Sequence, residues 1–114
     1  MKIKSLPLLA LSLFVAMAGL APVHAAIDAE GAQELMKSNK CTKCHAPEKD
    51  RTGPSLKKIA AKYKGKANGE EMVIKNITTG AKVKLDDGTE EDHKIIKEKD
   101  AAQLKNLAQW ILSH

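Results

Sequence analysis

Aromatic residues are nearly missing from this chain of 114 residues: Phe14, Tyr63 and Trp110 are its only Phe, Tyr and Trp. A small core built without large rings needs bulk from another source. Cysteine is equally scarce, with Cys41 and Cys44 the only two. A zinc site built on this C-x-x-C pair would need a second C-x-x-C or a spaced histidine pair, and neither is present. No basic stretch is interleaved with aromatics, so nucleic-acid binding is not expected. No general acid–base pair, nucleophile arrangement or phosphate-binding loop is evident, so no enzymatic activity is expected. Charge excludes little. The lysines are spread along the chain, a pattern of solvated surface that also suits a docking rim for an acidic partner.

The first twenty-five residues have the layout of a secretory signal peptide. Lys2 and Lys4 precede an almost wholly apolar run from Leu6 to Leu20, and Val23 and Ala25 stand at the −3 and −1 positions of a cleavage site. That run contains Pro7 and is short for a membrane span of roughly twenty residues. No cysteine follows it for a lipid anchor. Residues 1–25 are therefore expected to be removed on export to the periplasm, leaving one domain over 26–114 with no stable membrane insertion. Loss of Lys2 and Lys4 lowers the formal charge from +5 to +3.

The two cysteines lie in CTKCH, Cys41 to His45. A thioredoxin-like redox pair would need a βαβ setting, and no strand pattern precedes the motif. C-x-x-C-H fits covalent attachment of a c-type haem. Thiols three residues apart reach the two vinyl groups on one porphyrin edge. The adjoining His45 then offers its imidazole to the iron.

Periodicity and capping signals predict four helices and little or no sheet. Asp28 caps a helix to about Asn39. Ser55, after the Gly53-Pro54 turn, caps one carrying Leu56, Ile59, Ala60 and Tyr63. Asn68 with Glu71 reads as a capping box for a helix ended by Gly80. A polar loop is expected from Ala81 to Lys99. Asp100 with Gln103 reads as a capping box for a last helix with Leu104, Leu107, Ala108 and Ile111 on its apolar face.

The stretches DAEGAQEL, CTKCH, TGPSL, IAAKYKG and AAQLKNLAQWILS together make the mature chain resemble a small bacterial class I c-type cytochrome over nearly its full length. The resemblance implies an all-α fold of about four helices wrapped around one covalent haem c and its iron. It implies a crossing of first and last helices at Gly31 and Trp110, and a Pro54 carbonyl that accepts the Nδ1–H of His45. It also implies a periplasmic one-electron carrier serving redox partner proteins.

The sixth iron ligand departs from the family pattern. Most relatives place a methionine shortly before the final helix. Here the mature chain has only Met36 and Met72, both in predicted helices, while His93 stands where that methionine falls. Ile95 and Ile96 follow it, an apolar pair that needs something to cover. His93 is the expected ligand, which lowers the reduction potential relative to a thioether. A solvated His93 beside Glu90, Glu91 and Asp92 is the alternative, with Met72, His114 or an open iron in its place. Two other functions stay open on sequence alone: a gas-binding haem protein with a displaceable sixth ligand, and the small haem subunit of a larger oxidoreductase.

Overall fold

A computed structural model of the protein describes Gly19 and residues 26–114; the expected signal segment, residues 1–25, otherwise lies outside the described residues. Helix α1 spans Ala29–Ser38, α2 Leu56–Tyr63, α3 Gly69–Thr79 and α4 Ala101–Leu112, with one 3-10 turn at Cys41–Lys43. Helix α4 packs against all three other helices. Its Leu104, Leu107, Ala108 and Ile111 are all buried.

Three caps form as expected. Asp28 accepts from Gly31 N, Ser55 from Lys58 N, and Asp100 from Ala102 N and Gln103 N. Each satisfies amide groups that the first helical turn leaves unpaired. Asn68 is different: its side chain makes no capping bond, and its backbone (φ −107°, ψ 21°) lacks the extended conformation that an N-cap uses. At Asp100, the backbone N–H donates to Glu98 Oε1 rather than to Gln103, so the return arm of that box is absent. Gly80 ends α3 in the left-handed region at φ 66°, and a side chain there would press on His93 O and Ile95.

The expected polar loop contains an antiparallel hairpin, β1 Lys82–Lys84 with β2 Glu90–Asp92. Opposite charges face each other across it: Lys82 pairs with Asp92 and Lys84 with Glu90. The Lys82 ammonium lies 2.8 Å from Asp92 Oδ1. Cross-strand charge pairs and a turn with Gly88 at φ 85° let a highly charged segment pair as strands. The helix crossing is also corrected. Gly31 is exposed, and the buried small residues are Ala32 on α1 and Ala108 on α4. Trp110 is half-buried and lies edge-on to His114, with ring centroids 4.5 Å apart. The start of α1 is tied to α4 by the Asn106 amide, which donates to Asp28 O and accepts from Asp28 N, each at 2.8 Å.

Candidate functional site

A cavity of about 760 Å³ runs through the middle of the domain, at the large end of the range for ligand pockets. Seven of the twelve buried apolar side chains line it: Met36, Leu56, Tyr63, Val73, Ile96, Leu107 and Ile111. Unfilled apolar voids cost roughly 24 cal/mol per Å³. A core arranged in this way fits a bulky, largely apolar group at its centre, as the shortage of aromatics implies.

CTKCH forms one wall. Lys40 leaves α1 in the left-handed region at φ 58°, and the chain then makes a single tight turn. Cys44 N and His45 N both donate to Cys41 O, at 3.1 and 3.0 Å. Side chains three apart in such a turn nearly eclipse, so Cys41 and Cys44 emerge on the same side and both line the cavity. Burial pushes the Cys41 thiol above its ordinary range, against the partial relief of Lys94. Reactive redox cysteines are shifted the other way.

His45 Nδ1 lies 2.7 Å from Pro54 O, so the ring donates there, as the resemblance implies. The loop that carries Pro54 is fastened to the motif. Gly53 N donates to Cys44 O, Leu56 N to Ala46 O, and Arg51 Nη1 to Thr42 O. Asp50, which sequence reasoning missed, accepts from Ser55 N and from the Lys58 ammonium. Those two bonds, Lys58 first, hold its carboxyl below the usual range. Its local Asp-to-Ser spacing was the available signal. Gly53 is required by close approach, since a Cβ there would fall 2.8 Å from His45 Cε1. Gly53→Ala should therefore destabilise the folded protein by about 1–3 kcal/mol and perturb the His45 environment, measured by thermal unfolding and optical spectra.

His93 stands on the same cavity wall system, with its ring centroid 6.0 Å from that of His45 and the planes tilted by 31°. Its backbone N donates to Ala81 O at 2.8 Å, directly beyond β2. Its Nδ1 donates to Lys94 O at 2.9 Å. A ring nitrogen facing a carbonyl must carry the proton, so the neutral form of each imidazole is the Nδ1–H tautomer, with Nε2 as its acceptor nitrogen. Burial, more than the neighbouring His45, lowers the pKa of His93 and favours the neutral form that binds metals. Two metal–nitrogen bonds of about 2 Å each, plus ~2 Å for the two ring radii, add to about the observed separation.

The other ligand candidates lie elsewhere. Met72 is half-buried against the core and does not line the cavity. His114 borders a second cavity of about 420 Å³, which His45 also lines but His93 does not, and its Nδ1 is within 3.0 Å of Trp110 O. Met36 lines both cavities and belongs to α1, ahead of the motif in sequence. Among the described residues, no cluster of three or more His, Cys, Asp or Glu could hold a metal ion by itself. Tyr63, expected on the apolar face of its helix, and Asn76, missed from sequence, meet on the cavity wall, with Asn76 Nδ2 donating to the Tyr63 hydroxyl at 3.2 Å.

Comparison with known proteins identifies the family. Residues 29–114 match the family model described as Cytochrome c. Cytochrome c-551 of Azotobacter vinelandii is 32% identical over 85 residues, covering 75% of this chain and 99% of that protein. Cytochrome c-552 of Nitrosomonas europaea is 34% identical over 103 residues, covering 90% and 93%. Among solved structures, the class 1 cytochrome MtoD of Sideroxydans lithotrophicus ES-1 is 46% identical with a TM-score of 0.74, covering 77% of this chain and 97% of that one. The wild-type N. europaea cytochrome c552 is 32% identical with a TM-score of 0.57, covering 71% and 96%.

Proposed function

The chain belongs to the cytochrome c family, and from that premise we propose that it is a periplasmic one-electron carrier whose haem iron is held between His45 and His93. Membership brings one covalently attached haem c, which supplies a ferrous/ferric couple. In the proposed site Cys41 and Cys44 would carry the two thioethers, His45 would supply one imidazole to the iron, and Pro54 orients that ring through its carbonyl. Fixing Nδ1–H on a carbonyl raises the basicity of Nε2 toward metal. His93 would supply the second imidazole.

The observation that carries the reading is the matched pair of rings. Both border one cavity, both have Nδ1 committed to a backbone carbonyl, and their separation suits one metal between them. Two strong protein ligands leave no coordination position for a substrate, so the site moves electrons and is not an enzyme's. Imidazole in place of thioether sulfur favours ferric iron, and the potential falls below that of methionine-ligated relatives.

Carriers of this family serve redox partner proteins. The cavity is bordered by Lys40, Lys43, Lys58, Lys62, Lys84 and Lys94, against Glu91 and Asp92 of opposite sign. That cationic margin suits an acidic partner, steered by charge and weakened by salt. Periplasmic location rests on the signal-peptide layout of residues 1–25. Among the described residues, no helix is long and apolar enough to cross a membrane.

The test is a spectroelectrochemical titration of the purified holoprotein. Low-spin spectra in both oxidation states, unchanged under CO, with a potential below that of methionine-ligated relatives, are expected. A high-spin ferrous form that takes up CO would instead make the chain a gas-binding haem protein.

A further inference from the structure

Asn39 is one of only two buried polar or charged residues among the described residues, at 8% exposure. It stands between the end of α1 and the haem-attachment motif. Its side chain is used at both ends: Nδ2 donates to Leu35 O at 3.0 Å, and Oδ1 accepts from Lys97 N at 3.0 Å. Lys97 is 58 residues away in sequence and lies four residues beyond His93.

The segment from His93 to Lys97 is otherwise fastened on one side only. His93 N donates to Ala81 O, and Ile96 N donates to Ile77 O, both at 2.8 Å. Those bonds attach it to α3 and to Ala81, two residues past the end of α3. Among the described residues, Asn39 alone gives this segment a hydrogen bond to the opposite side, where α1 runs into Cys41. We propose that Asn39 is the positioning residue that keeps the His93 segment closed across the cavity. The inference rests on the reading of His93 as an iron ligand. The residue type follows from the geometry: asparagine supplies a donor for Leu35 O and an acceptor for Lys97 N. Aspartate keeps only the acceptor, and leucine of similar size keeps neither. Without the acceptor, the segment opens on one hinge, and Nε2 of His93 leaves its place more often while the motif side is untouched.

The test uses four holoprotein variants beside the parent: Asn39→Leu, Asn39→Asp, His93→Ala and Asn106→Ala. The readouts are amide hydrogen exchange at Lys97, the rate of CO uptake by the reduced protein, and thermal unfolding. In Asn39→Leu, Lys97 exchange should rise about tenfold, the factor expected for losing one part-buried hydrogen bond, and CO uptake should become measurable where the parent shows none. Asn39→Asp should keep Lys97 protection near that of the parent, because Oδ1 remains. Asn106→Ala removes the α1–α4 clamp and should lower thermal stability without changing either local readout. Parental exchange and CO uptake in Asn39→Leu would overturn the role of Asn39, as would an Asn106→Ala variant that opens just as readily. If His93→Ala keeps the parental low-spin spectrum, the ligand reading itself fails and this inference with it. If His93→Ala opens the iron and Asn39→Leu does not, only the inference about Asn39 fails. The parent alone is also decisive: a Lys97 amide exchanging as fast as the exposed Asp86 amide would contradict the closure, whatever the variants yield.

Discussion

His93→Ala should fold, keep its haem and lose its low-spin spectrum. The loop that carries residue 93 is tied by backbone bonds at residue 93 itself, at Ile96 and at Lys97, and none of these uses the imidazole. The substitution therefore removes the ring and leaves its support. With Cys41, Cys44 and His45 intact, the iron becomes high-spin or water-ligated and binds CO when reduced. His93→Met should act in the same place with the opposite chemistry. A thioether stabilises ferrous iron better than imidazole does. The reduction potential should rise by about 0.1–0.3 V, a fraction of the roughly 0.8 V that axial ligation commands. Potentiometric titration of the three proteins checks both variants. Equal potentials in parent and His93→Met would place the sixth ligand elsewhere.

Loss of the cysteines should have the second large effect. More than half of the buried apolar residues face the central cavity, so the core is arranged around the group held there rather than around itself. Holding that group covalently removes the option of losing it, and binding to the folded state alone stabilises that state. Cys41→Ala and Cys44→Ala should each reduce the yield of holoprotein severely, and the double variant should abolish it. Intact mass after denaturation is the measurement. The parent should carry one haem that survives unfolding, each single variant should form at most one thioether, and the double variant should release any haem it binds. A double variant whose haem resists denaturation would show attachment through another residue.

The legible parts of this fold are the local ones. Asp28, Ser55 and Asp100 announced helix starts because each bonds amides two or three residues ahead. The apolar faces of α2 and α4 followed from spacing, since one side of each helix meets the core. Asn68 carried the same composition signal without the extended backbone conformation that a capping side chain needs. The hairpin hid behind its charge. Val83 and Leu85 alternate with lysines before Asp87-Gly88, a turn signal, but strands of three residues with five of six positions charged read as loop. Their stability lies in cross-strand pairing, which only the fold supplies.

The site divides in the same way. CTKCH was readable because covalent haem attachment needs those residues at that spacing, whereas the role of Pro54 came from the family resemblance. His93 was expected from its distance to His45 and Trp110, and the structure puts its ring beside the same cavity as His45. Asn39 and Asn76 were not readable. Their partners, Lys97 and the Tyr63 hydroxyl, lie on other segments, and nothing in the residues around them marks those pairings.

The central claim is that one iron binds two histidine side chains of this chain. Its most direct test is the spectrum of the oxidised holoprotein with every histidine labelled with nitrogen-15. Among residues 26–114 the histidines are His45, His93 and His114. Nitrogens bound to low-spin ferric iron shift far outside the ordinary imidazole range, so the number of displaced rings counts the ligands. Two displaced imidazoles are expected, together with one ordinary imidazole that disappears in His114→Gln. A single displaced imidazole, with His93 and His114 both in the ordinary range, would contradict the claim.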